Sequence, residues 1–147
     1  MITKELDGLE KCCIYANDFH LEMILLPYIK ENLEGNKFII FTENDLEGTV
    51  KTLLERTNLP YELKLNILNL GWDDDYMKKF DMINKFIKKE KITVIIKGGL
   101  DFIKKVANKI NDFGDSNIEM IKCYCVDDIN KENVDLSKCE VLNTRRI

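Results

Sequence analysis

Ile92-Thr93-Val94-Ile95-Ile96-Lys97-Gly98-Gly99 decides how this chain is read. Residues 92 to 96 are all β-branched, and only Thr93 among them is polar. Such a run fits a strand covered on both faces, because both sets of alternating side chains must then be apolar. Gly98-Gly99 ends the run, and Leu100, Ile103, Ala107 and Ile110 follow at helical spacing. A buried strand, a glycine turn and an amphipathic helix make half of a β-α-β unit, the connection that parallel strands require.

The same alternation extends in both directions. Upstream, Cys12-Cys13-Ile14-Tyr15-Ala16 is a short apolar run, and Asn17-Asp18 offers a helix cap. Phe19 to Leu33 reads as a helix with Leu21, Ile24, Leu25 and Tyr28 on one stripe, Pro27 kinking it and Gly35-Asn36 ending it. Phe38-Ile39-Ile40-Phe41 is a second strand. Asn44 and Glu47 resemble a capping pair for a helix carrying Leu46, Val50, Leu53 and Leu54, closed by Leu59-Pro60. Leu63 to Leu70 alternates apolar and polar residues and reads as a third strand. Asp73-Asp74-Asp75 opens a helix with the stripe Tyr76, Phe80, Ile83 and Ile87, since acidic groups favour the positive end of a helix. Gly114 to Asn117 is a turn, Ile118 to Val126 is a strand, and the tail adds a short edge strand around Val141-Leu142. The expectation is a three-layer α/β/α sandwich around a mainly parallel five-stranded sheet, with a sixth strand at the edge. It is Rossmann-like and RecA-like, and it fills residues 1–147 as a single domain.

Composition fits that architecture. The 147 residues are 45% hydrophobic, enough for a core without disulfides or metal. With 22 basic against 26 acidic residues the chain has net charge −4, which argues against a nucleic-acid binder. No apolar run is long enough to span a membrane, and residues 1–7 contain no signal-peptide stretch, so a cytoplasmic protein is expected. Ile, Lys and Asn fill 51 positions while Ala fills 2, a bias resembling that of AT-rich genomes, so single lysines and asparagines carry little weight. Five cysteines, Cys12, Cys13, Cys123, Cys125 and Cys139, lack any C-x₂-C zinc spacing and read as core thiols, with a redox or soft-metal sensor as the functional alternative.

In such a sheet ligands bind beyond the carboxyl ends of the strands. Tyr15, Asn17 and Asp18 lie there, as do Glu43 to Asp45, Lys97 with Gly98-Gly99, and Asp127-Asp128. The third segment read as a strand brings Trp72, Asp73 and Asp75 to the same rim. Asp18, Asp73, Asp75, Asp127 and Asp128 offer a Mg²⁺ site for phosphoryl transfer or nuclease chemistry; the plainer reading is that they cap helices. Gly98-Gly99 beside Lys97 offers backbone amides to an anion, yet neither G-x-x-x-x-G-K-[ST] nor G-x-G-x-x-G occurs. Trp72 reads equally as a ligand wall or a lid over the core. His20, the lone histidine, reads as a solvated first-turn residue.

Several segments resemble the MEDS sensory domain, a RecA-like α/β module of bacterial and archaeal regulators that has lost the ATPase loop. Gly8-Leu9-Glu10-Lys11-Cys12-Cys13-Ile14-Tyr15 is similar to its opening, with Glu10 or Lys11 where the family has histidine. Pro27 to Lys37 resembles the family's "P-F-[IL]-x-E-G-L-x-x-x-E" helix, and Phe38 to Asn44 resembles its second strand. Ile121 to Asp127 is similar to the late "L-C-x-Y-D" strand, and Val141 to Ile147 to the closing segment. Gly98-Gly99-Leu100-Asp101-Phe102 stands where the family has "G-E-M-x-W". The resemblance implies a non-catalytic sensory or signal-relay domain without a cofactor, with hydrocarbon-like effectors in some members. The candidate ligand residues are then Glu10, Tyr15, Asn17, Trp72, Lys97, Gly98 and Gly99. Its partners would be a small-molecule effector or a regulatory protein (a kinase, a sigma-factor regulator or a transcription factor), with room for a homodimer.

Overall fold

The structure, a computed structural model, describes residues 10–114 and 117–142. In chain order its elements are β1 (Glu10–Tyr15), α1 (Asp18–Asn32), β2 (Asn36–Thr42), α2 (Glu47–Glu55), α3 (Tyr61–Leu68), α4 (Tyr76–Phe86), β3 (Lys91–Lys97), α5 (Leu100–Asn111), β4 (Ile118–Cys125), α6 (Val126–Glu132) and β5 (Cys139–Val141). The strands form one sheet in the order β2-β3-β4-β1-β5, and every pairing is parallel.

Side chains alternate across this sheet, and the alternation sorts them into two cores. Cys13, Tyr15, Phe38, Ile40, Ile95, Ile121 and Cys123 face one way, against Leu21, Leu25 and Ile29 of α1, Val50 and Leu54 of α2 and Ile67 of α3. Ile39, Phe41, Val94 and Ile96 face the other way, against Phe80 and Ile83 of α4 and Ile103, Val106 and Ile110 of α5. The three-layer α/β/α sandwich expected from the sequence is therefore present, with a sheet that is wholly parallel. Thr93, the polar residue of the deciding strand, is buried and donates to Asn36 Oδ1 at 3.0 Å.

One strand of the sequence reading is corrected. Leu63 to Leu70 is not in the sheet; its first part belongs to α3, which begins directly after Pro60. Leu63, Ile67 and Leu70 lie at i, i+4 and i+7, and all three reach the first core, whereas Leu65 is 37% exposed. The sheet still has five strands because the short segment expected at its edge, β5, pairs with β1. Two boundaries also move. Asn44 does not cap α2, whose first turn is instead met by Asp45 Oδ1 accepting from Glu47 N–H at 2.8 Å. β4 stops at Cys125, so Asp127 and Asp128 form the first turn of α6, which ends at Asn133 in the left-handed conformation. The resembling residues 8–9 and 143–147 and the turn residues 115–116 lie outside the described residues.

Candidate functional site

Parallel pairing brings all five strand ends to one edge, and the parity of each strand decides which side of the sheet its last residues serve. Tyr15, Thr42 and Lys97 are in phase with the α1-facing side chains. Lys97 is only 7% exposed. Its Nζ pairs with Asp18 Oδ1 at 2.9 Å, bonds to Asn44 Oδ1, and lies 5.6 Å from the Tyr15 ring centroid. Asn44 Nδ2 in turn donates to Asp18 Oδ2 at 3.0 Å. Thr42 Oγ1 donates to Asn44 O at 2.8 Å and fixes the loop that presents it. The strand ends are thus tied together by one cation, one carboxylate and one amide.

Behind this cluster, on the next turn of α1, stands Glu22. It is fully buried. Its Oε2 meets the hydroxyl of Thr49 on α2, and its Oε1 has no hydrogen-bond partner among the described residues. Burial pushes its carboxyl above the ordinary range; Asp18 adds to the push, while Thr49 and Lys97 oppose it.

The turns after β1 and after β3 have side chains on their backbone amides. After β1, Asn17 Oδ1 accepts from His20 N–H at 2.9 Å, and His20 Nδ1 accepts from Ala16 N–H at 3.0 Å. His20 is therefore a capping residue, with Nδ1 serving as the acceptor. After β3, Glu43 Oε1 accepts from Gly99 N–H at 2.6 Å, at the first turn of α5. A Cβ at Gly98 would stand 2.6 Å from both Glu43 Oε1 and Phe102 Cδ2, so these side chains seat as they do only over a glycine. On this α5 side of the sheet edge lies an open hollow of about 380 Å³ lined by Glu43, Gly99, Asp101, Phe102, Asp128 and Glu132. A second hollow of about 340 Å³ adjoins it, between Glu43, Tyr76, Phe102 and Lys105.

The structure therefore gathers Tyr15, Asn17, Lys97, Gly98 and Gly99 at one edge and separates two other candidates from them. Glu10 starts β1, roughly 16 Å from Tyr15 at the strand rise per residue, and pairs with Lys122 at 3.5 Å. Trp72 is fully buried in the first core, with Nε1–H donated to Ile67 O at 2.8 Å. That corrects the ligand-wall reading: the indole covers the core.

The acidic candidates go to different places. Asp18 is held by Lys97 and Asn44. Asp73 pairs with Lys79 at 3.6 Å and Lys78 at 3.5 Å; burial pushes its carboxyl up, but the Asp75 amide and the two lysines together outweigh burial and bring it below the usual range. Asp75 precedes α4 and lies 3.8 Å from Lys78. Asp128 lines the larger hollow. Among the described residues, no three His, Cys, Asp or Glu side chains are grouped to hold one metal ion. The thiols are all free. Cys13 and Cys123 sit in register on adjacent strands. Burial, with Cys13 beside it, pushes the Cys123 thiol well up, and burial with Cys139 beside it raises Cys12 to about 12. Both therefore stay protonated and poorly nucleophilic at neutral pH.

Glu43 and Asn44 stand on the rim expected from the sequence, whereas Glu22 and Thr49 are not foreseen there. Glu22 carries a legible signal: it lies three and seven residues before Leu25 and Ile29, so a carboxylate stands on the buried face of α1. No helix among the described residues is long and apolar enough to cross a membrane. No protein-family model matches this chain, and no curated protein or solved structure matches it.

Proposed function

We propose that this chain is a non-catalytic sensory or signal-relay domain that takes a small-molecule effector, or a regulatory protein, at the carboxyl edge of its sheet. One observation carries the reading. The amides that would cradle a phosphate at the strand-to-helix turns after β1 and β3 are already held by the chain's own side chains. His20 and Asn17 occupy the turn after β1, and Glu43 occupies the turn after β3. A triphosphate would have to displace a carboxylate from Gly99 and compete with Asp18 for Lys97. An effector without phosphates asks for neither step, and the hollow beside Glu43 and Phe102 is open to it. Its volume falls within the roughly 300–1,000 Å³ usual for small-molecule sites. The resemblance to MEDS domains points the same way.

Thermal melting against a broad metabolite panel tests this reading. A ligand present at about 100 times its Kd adds about 2.7 kcal/mol of stability, a rise of several degrees in Tm. A nucleotide-free effector raising Tm, or a regulatory protein recovered with the tagged chain from its native host, supports the proposal. ATP or GTP bound and cleaved refutes it. So does an empty panel together with an empty pull-down.

A further inference from the structure

The strand-end cluster balances one cation against one carboxylate, and Glu22 stands outside that balance. Lys97 is committed to Asp18 at 2.9 Å and to Asn44. Thr49 Oγ1 touches two acceptors, Glu22 Oε2 and, at 3.1 Å, Leu46 O. A hydroxyl has a single proton to give. If Glu22 is ionised, its carboxylate and the Leu46 carbonyl compete for that proton, and Oε1 is left charged, buried and unpaired. If Glu22 carries a proton, it donates to Thr49, Thr49 donates to Leu46 O, and both contacts become hydrogen bonds. A neutral carboxyl also avoids the large cost of an unpaired charge out of water. Two charged groups act on Glu22: Asp18, one turn earlier on α1, and Lys97 at the end of β3. α2 contributes only the uncharged Thr49, which is itself exposed and gives protons a route from solvent.

We propose that Glu22 is a proton-operated latch: protonated, it ties α1 to α2 through Thr49 and leaves Lys97 to Asp18, and on losing its proton it draws Lys97 away and reorganises the strand-end cluster. The inference concerns the cluster itself and stands whether or not an effector binds there. The proton leaves to solvent; the carboxyl O–H is the one covalent bond broken, and no oxidation state changes.

Carboxyl ¹³C titration of the whole chain tests it. The Glu22 signal is expected to titrate with a midpoint above 4.5, the ordinary value. The Asp18 carboxyl signal should move again at that same midpoint, as Lys97 is redistributed. In Glu22→Gln, which keeps the neutral shape, the second movement of Asp18 disappears. Because the folded chain holds the Glu22 proton more tightly than the unfolded one, its contribution to stability is whole below pH 4.5 and is lost as pH rises towards the Glu22 midpoint. The folding constant of the wild type relative to E22Q therefore falls by up to tenfold per pH unit over that interval and then levels off. A Glu22 midpoint at or below 4.5 overturns the proposal. So does an Asp18 signal indifferent to Glu22. Should E22Q fail to fold, the wild-type titration alone decides the matter.

Discussion

Replacing Lys97 by methionine keeps the four-atom stem and removes the charge that joins three strand ends. At 2.9 Å two unit charges attract by about 6 kcal/mol at an effective dielectric of about 20. Most of that is offset, because drawing an ammonium out of water costs several kcal/mol. Asp18 also keeps 36% of its side-chain surface in solvent, which screens the pair. The net coupling should be about 1–2 kcal/mol. Lys97→Met alone should cost more, about 2–3 kcal/mol, because Asn44 Oδ1 keeps only the Thr42 hydroxyl at 3.4 Å and Glu22 loses its nearby positive charge. Asp18→Asn in the same background isolates the pair. Urea unfolding read from the fluorescence of Trp72, the single tryptophan, gives all four corners of the cycle. The double variant should be less destabilised than the two singles added together, by the coupling above. Additivity within about 0.3 kcal/mol would show that the ion pair is a surface contact and that Lys97 does not organise this edge.

Gly98→Ala should cost about 1–3 kcal/mol in thermal unfolding, since its Cβ would stand 2.6 Å from Glu43 and Phe102, whereas Gly99→Ala, with 3.5 Å of clearance, should be close to neutral. Equal effects at the two positions would mean that Glu43 does not seat against this turn. Glu119 is bonded by Lys11 Nζ at 3.0 Å and by the Tyr28 hydroxyl at 2.9 Å. Burial pushes its carboxyl up, but those bonds outweigh burial and hold it below 4.5. The stability it adds is therefore complete above pH 4.5 and is lost as pH falls through its folded value, so wild type and Glu119→Gln should converge on acidification. A gap between them that does not shrink in acid would refute the pairing. Ile67→Ala should cost about 2–4 kcal/mol and Leu65→Ala under about 1, because only Ile67 faces the core. In a strand these two would share a face and cost alike, so equal losses would restore the strand reading.

How much of this was legible depends on which physical rule each segment obeys alone. The deciding strand has no competitor: five β-branched residues ended by two glycines have one good solution, and β3 takes it. Leu63 to Leu70 has two. Its leucines and isoleucine satisfy a period of two at 63, 65 and 67 and a helical period at 63, 67 and 70. Periodicity could not separate them; the turn before it could have, since Pro60 has no amide to offer a sheet but fits the entrance of a helix. The site divides in the same way. Asn17 as a cap and Lys97 at a strand end follow from local order along the chain, and both stand where expected. The partners that define their chemistry do not. Asn44 reaches Lys97 across 53 residues, Glu43 reaches Gly99 across 56, and Thr49 reaches Glu22 across 27. The first two depend on β2 lying beside β3, and the third on α1 and α2 covering the same face of the sheet. Strand order is a property of the closed sheet, and no local pattern encodes it. What the chain did display was the anomaly itself, an acid on the apolar face of α1, and a buried carboxylate without a counter-charge must find a partner or a proton.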